Sequence, residues 1–286
     1  MRGLWSVFRL EARLLLRGRG LWIAAAVASV LGVWVASMGR EVPYAIWSQL
    51  TTAAFFLTLI LTLSTGGQIV RDREQRVDGV VLSTPISAWA YVWGKYLAAL
   101  ASLLALTVLM LAAAVVMDHF DAWRDPPAAL GHSHYPALGP WPYVFGWLWL
   151  AVAPVIFGAA LALAGVTLTG GQRVVTAVLA VFLWLGPAFF GGAAPGGWMG
   201  LLDISGMSLY SAIGYPPLPP ALQALVYLGG SPSPSLGALM VRIVDAHMPP
   251  QLPAPFVWGR ALYVALALLL ALALVWRVRA MRRGAA

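Results

Sequence analysis

The chain has no cysteine, one lysine and few charges of either sign, and each shortage removes a class of protein. Without cysteine there is no disulfide framework and no thiolate metal site, although this alone does not name a compartment. Only 10% of residues are charged and 61% are hydrophobic, with a mean hydropathy of +0.82. That balance excludes an ordinary soluble domain and a disordered chain. A Walker loop is missing: the one Gly-Lys pair, Gly94-Lys95, is followed by Tyr96 and has no phosphate-cradling glycine loop before it, so this chain is not expected to hydrolyse ATP. The two-residue alternation of membrane barrel strands is also missing. One Lys against seventeen Arg, with abundant Ala, is the codon bias of a GC-rich bacterial genome.

What remains is apolar sequence in long runs. Leu21–Met38, Pro43–Val70, Trp89–Met117, Trp141–Gln172, Val174–Leu202 and Phe256–Trp276 are nearly free of charge. A spanning helix needs about 20 such residues, so the expected class is an all-α integral membrane protein with six transmembrane helices, forming a single domain over 1–286. Lys95 and Arg260 are the only ionised residues inside these runs, each near an end, where a long side chain can snorkel to the interface. No cleavable signal peptide is expected, because the first apolar run starts at Leu21 and has no small-residue cleavage site.

Basic residues orient the spans. With a cytoplasmic N-terminus and six crossings, Arg2, Arg9, Arg13, Arg17, Arg19, Arg71, Arg73, Arg76, Lys95, Arg173, Arg277, Arg279, Arg282 and Arg283 fall inside, and Arg40, Arg124, Arg242 and Arg260 outside. This positive-inside bias puts both termini in the cytoplasm of a bacterial inner membrane. The net charge of +8 then reflects topology and anionic lipid, and its dispersal over separate segments gives no reason to expect nucleic acid.

Two inside segments stand out. Over residues 1–20, Arg9, Arg13 and Arg17 recur every four residues opposite Trp5, Phe8, Ala12, Leu15 and Leu16, the pattern of an interfacial helix, and Gly18 and Gly20 permit a turn into the first span. Residues 71–88 contain the densest charged block: Arg71, Asp72, Arg73, Glu74, Arg76 and Asp78. Such a cluster cannot stay in hydrocarbon, where a central Arg or Asp costs roughly 2.5–3.5 kcal/mol. It must meet water or a soluble partner. Gly79 ends a first short helix, and Ser83-Thr84-Pro85 starts a second, with Thr84 as cap and Pro85 in the first turn.

The amphipathic N-terminal helix, the six runs and Arg71–Lys95 (RDREQRVDGVVLSTPISAWAYVWGK) together resemble the permease subunits of type-2 ABC exporters. Glu74, Gly79, Ser83, Thr84, Pro85, Gly94 and Lys95 occupy matching positions. The commoner Gly-Thr is replaced here by Gly79-Val80, which looks more like relatives fused to, or encoded near, aminopeptidase-like domains. The likeness covers about the first hundred residues, and the remainder by span count. It implies an elbow helix at 1–20, a cytoplasmic coupling helix after the second span that docks a separate cytoplasmic ABC ATPase subunit, and dimerisation with a second copy or a paralogue. ATP and Mg would sit on that partner, with no cofactor and no catalytic residue in this chain. The ATPase-coupling residues implied are Arg71, Asp72, Arg73, Glu74, Arg76, Asp78, Gly79, Thr84 and Pro85.

Outside, residues 118–140 gather His119, His132 and His134 with Asp118, Asp121 and Asp125, but their spacing fits no standard metal site, and no metal is assigned. Ser133 lacks a nucleophile turn or an oxyanion element. Residues 191–256 hold eleven of the twenty prolines, which breaks any continuous helix there. Leu236, Leu239, Met240, Ile243 and Val244 form a short apolar stripe. In the resembled family, short external helices between the fifth and sixth spans form a gate. Gln49, Thr51, Thr52, Thr58 and Thr62 give the second span a polar face suited to helix packing or to a translocation path. Pro154 and Pro187 are candidate kinks. Leu168-Thr169-Gly170-Gly171-Gln172 imitates an ABC signature loop, but it lies between two spans and reads as a Gly-Gly turn. An autonomous secondary carrier or channel would call for acids in the span cores, and there are none. A force-transmitting anchor for an external partner is a further reading.

Overall fold

The computed structural model describes residues 2–39, 50, 52–53, 56–57, 68–69, 72, 86–124, 140–191, 199–204, 252 and 254–284. Among the described residues every regular element is helical and there is no strand. In order these are α1 (Arg2–Arg17), α2 (Arg19–Gly39), α3 (Ala88–Arg124), α4 (Pro140–Gly146), a π-helical stretch (Trp147–Val152), α5 (Ala153–Leu168), α6 (Arg173–Gly191), α7 (Met199–Leu202) and α8 (Ala254–Gly284). Four helices are long and apolar enough to cross a membrane: Arg19–Ser37, Ala88–Asp121, Tyr143–Leu168 and Ala254–Arg283. They match the first, third, fourth and sixth apolar runs. The second run lies largely outside the described residues. Of the fifth, α6 and the short α7 are described, and residues 192–198 between them are not.

The exposed faces confirm the class. Trp22, Ile23 and Val30 on α2, Val116 on α3 and Leu269, Leu272 and Trp276 on α8 point away from the bundle. A soluble helix would carry polar side chains on such faces; these helices are apolar on both sides, as hydrocarbon requires. The third apolar span is the hub, with 72% of its central window buried against 28–33% for the other three. Its α5 part is rich in small residues, and Ala159, Ala160, Ala162, Ala164 and Val166 are buried as it packs against α8, α3 and α6.

Hydrophobicity does not bring helices together in lipid, so close backbone approach must. On α2, Ala24, Ala28, Gly32 and Ala36 recur every four residues and all are buried against α3. A Cβ at Gly32 would run into the backbone carbonyl of Met110 and lie 2.8 Å from the Cβ of Ala113. Likewise a Cβ at Gly165 would lie 2.5 Å from Cγ2 of Thr176, where α5 meets α6.

The turn from α5 to α6 is the Gly-Gly turn expected. Gly170 (φ 70°) and Gly171 (φ 104°) take left-handed backbone, and the Gly171 N–H donates to the Val166 carbonyl at 2.8 Å. These bonds cover carbonyls that end the helix. At the other end of the chain, Trp22 Nε1 donates to the Leu16 carbonyl at 2.9 Å across the Gly18 bend, fixing the elbow between α1 and α2.

We expect Gly32→Leu to lower the melting temperature of the detergent-purified protein sharply and Gly32→Ala to cost about 1–3 kcal/mol, because the opposing atoms are backbone. Gly3→Ala, whose nearest neighbours stand 3.9 Å from the added carbon, should change the melting temperature by a degree or less.

Candidate functional site: a buried ion cluster at the elbow

α3 begins at Ala88, with Ser87 as its cap: Ser87 Oγ accepts the Ala90 N–H at 3.1 Å. The start therefore falls three residues beyond the Thr84 cap and Pro85 first turn expected from the sequence. Two turns further on, Gly94 provides a gap. A Cβ there would lie 2.7 Å from Cβ and Cγ1 of Val7 and 3.1 Å from the Leu4 carbonyl. The absent side chain lets α1 lie directly on α3, and it brings Glu11, one turn after Val7, beside Lys95.

Lys95 is buried, with its side chain 1% exposed, and its ammonium pairs with the Glu11 carboxylate of α1. Its Nζ also stands 3.0 Å from Asp72 Oδ2 and donates to the Gln68 carbonyl at 3.4 Å. The Tyr91 hydroxyl, one turn earlier on α3, donates to the same Asp72 oxygen at 2.7 Å, and its ring lies under the ammonium at 5.1 Å. The ammonium of Lys95 is thus shared by carboxylates from two other segments. A charge taken out of water is tolerable only when paired and hydrogen-bonded. Here the pairing spans the whole junction: α1, the 68–72 stretch and α3.

The far side of the segment 71–88 is tied as well. Arg282, near the end of α8, donates through Nη1 to the Ile86 carbonyl at 2.6 Å. The first and last helices therefore meet the start of α3 at the same end of the bundle. On α1, Arg9, Arg13 and Arg17 are exposed, as are Arg277, Arg279 and Arg283 on α8, so this end carries a collar of arginines.

Of the sequence-derived coupling residues, Asp72 is placed in the cluster. Arg71, Arg73, Glu74, Arg76, Asp78, Gly79, Thr84 and Pro85 lie outside the described residues. So do Gln49, Thr51, Thr58, Thr62, His132, His134 and the apolar stripe of 236–244. Thr52 is half-buried, whereas Leu50, Ala53 and Leu57 form the buried face of that stretch. His119 is exposed, with Nδ1 2.9 Å from the Val115 carbonyl of its own helix. Among the described residues no three His, Asp or Glu side chains are grouped to hold a metal ion.

Two expectations change. Lys95 and Arg260 do not snorkel; both are folded inward, where acceptors on other segments meet Lys95 Nζ and the Nε and Nη1 of Arg260. α1 also presents a third face. Leu4, Val7 and Glu11 lie against α3, while Trp5 and Leu16 of the expected apolar stripe remain exposed beside the arginines. Glu11 was missed in the sequence, yet a signal existed: it is the sole acid in α1, and Lys95 is the sole lysine of the chain. No family model matches the chain, and no curated protein matches it.

Lys95→Met should destabilise the protein by about 3–5 kcal/mol, since it removes the buried ammonium that Glu11 and Asp72 share. The exchange Glu11→Lys with Lys95→Glu should recover a good part of that loss in a thermal-shift double-mutant cycle, whereas independent, additive losses would show that the two residues do not act as a pair.

Proposed function

We propose that this chain is the membrane-spanning permease subunit of an ATP-driven ABC exporter, working with a separate cytoplasmic ATPase and as a dimer. The observation that carries this reading is the buried Lys95 cluster. A charged segment that docks a motor must be gripped by the spans it is to move. Residues 71–88 are held at one end through Asp72 by Lys95 and Tyr91, and at the other through Ile86 by Arg282. A push on that segment is thereby delivered to α1, α3 and α8 together.

Further support comes from topology and charge. The meeting of α1 and the end of α8 at one end of α3 fits an even number of crossings, and the six runs supply it. The arginine collar at this end fits a cytoplasmic face under the positive-inside bias. In this reading Arg71, Asp72, Arg73, Glu74 and Arg76 form the docking surface, α1 is the elbow helix, 71–88 the coupling segment, and the inner membrane of a bacterium its location. The residues Gln49, Thr51, Thr52, Thr58 and Thr62 of the second span are its translocation-path candidates.

Co-purification with a cytoplasmic ABC ATPase of the same organism, followed by ATP turnover in lipid, tests the proposal. Charge reversal at Arg73 and Glu74 together should abolish association while leaving membrane insertion intact. Glu11→Gln should leave association within about twofold and lower the stimulation of ATP turnover by the permease severalfold. Association that survives the double reversal would sink the docking assignment. A chain that purifies without any ATPase would turn the reading towards an autonomous carrier or channel.

A further inference from the structure

The opposite end of the bundle is organised by a second buried cation. Arg260 precedes Arg282 by 22 residues on α8, about 33 Å at the helical rise. It is 5% exposed. Its Nε donates to the Trp149 carbonyl at 2.9 Å, and its Nη1 donates to the carbonyls of Asp203 at 2.8 Å and Ile204 at 3.1 Å. The guanidinium is stacked on the Phe256 ring at 4.2 Å, and the Tyr263 hydroxyl donates to the Leu202 carbonyl. Three successive carbonyls at the end of α7 are thus capped from α8. Irregular backbone at membrane depth survives only where protein satisfies it.

Trp149 belongs to the π-helical stretch Trp147–Val152, and Pro154 follows one residue later, after Ala153. In an α-helix carbonyl i is matched to the amide of i+4; in a π-helix, to that of i+5. Proline has no N–H. In α register the carbonyl that Pro154 leaves without a donor is that of Leu150, whereas in π register it is that of Trp149. Arg260 Nε stands at Trp149. The rare register is the one in which the orphaned carbonyl meets the arginine.

We propose that Arg260 is a positioning residue that selects the π register of 147–152 and ties it to the Asp203–Ile204 turn. Nε and Nη1 belong to one rigid fork, so the π register and the seated turn stand or fall together. Releasing the fork removes the reason for the extra residue in the helical turn. The segment then reverts to α, and everything before it swings by about 100° around the helix axis. Val144, now 40% exposed, would take the direction in which Tyr143 is now buried. The inference does not rest on the exporter reading and holds for any function of the bundle.

A chain without cysteine allows a direct test with the single substitutions Ile204→Cys, Val144→Cys and Ala159→Cys. In the otherwise native protein the thiols introduced by I204C and A159C should react slowly with a small thiol reagent, and a spin label attached through V144C should be mobile. Arg260→Lys, which keeps the charge and loses the fork, and Arg260→Met should each speed labelling of the I204C thiol at least tenfold, with the A159C thiol unchanged. Both variants should immobilise the label carried by V144C. So should Pro154→Ala, which leaves Arg260 intact and removes the orphaned carbonyl from the α register. An I204C thiol that stays protected in Arg260→Lys overturns the tie to the turn. A V144C label that stays mobile in both Arg260→Lys and Pro154→Ala overturns the register selection. Where Arg260→Met exposes the A159C thiol, that variant has unfolded, and Arg260→Lys alone decides.

Discussion

A cation held out of water is the constraint around which this bundle is arranged. An ammonium or guanidinium inside a membrane protein must be met by carboxylates or carbonyls at contact distance, because nothing else near it can replace its hydration. Lys95 draws in α1 and residue 72, and Arg260 draws in the π-helical stretch and the end of α7. Between these two points, among the described residues, close packing carries most of the contact, with two hydrogen bonds across helices: Tyr96 to the Ile156 carbonyl at 3.1 Å and Trp147 Nε1 to Thr107 Oγ1 at 3.0 Å. The small-residue column of α2 and the glycine at 165 bring backbones close. The buried charges therefore sit at the two ends, with packing and neutral hydrogen bonds between them.

This division gives the two ends different tasks. At the arginine-rich end, ion pairs link helices to a segment of alternating charge, and an ion pair across a junction transmits displacement in any direction. At the far end the partners of the arginine are carbonyls of irregular backbone. Such bonds specify a conformation more than they transmit a force.

The span helices were legible in the sequence, because charge-free length is all that hydrocarbon demands: four of the six apolar runs appear as membrane-length helices, and the break between α1 and α2 falls at Gly18, one of the two glycines expected to permit a turn. The pairing of Lys95 with Glu11 was not legible, since 84 residues separate them and only the packing of α1 on Gly94 makes them neighbours. Nor was the π stretch, because its cause is divided between a proline on one helix and an arginine 106 positions later. α3 starts at Ala88 with Ser87 as its cap, whereas Thr84 and Pro85, where the sequence suggested a helix start, lie outside the described residues.

The cations that join helices share an order along the chain that bears on how the protein is made. Lys95 follows Glu11, Gln68 and Asp72; Arg260 follows Trp149, Asp203 and Ile204; Arg282, partly buried, follows Ile86. A ribosome delivering this polypeptide from its first residue therefore releases each acceptor before the donor that needs it. No positive charge has to wait in the bilayer for a counterpart still to be translated, and the final helix, once inserted, closes both ends of the assembly.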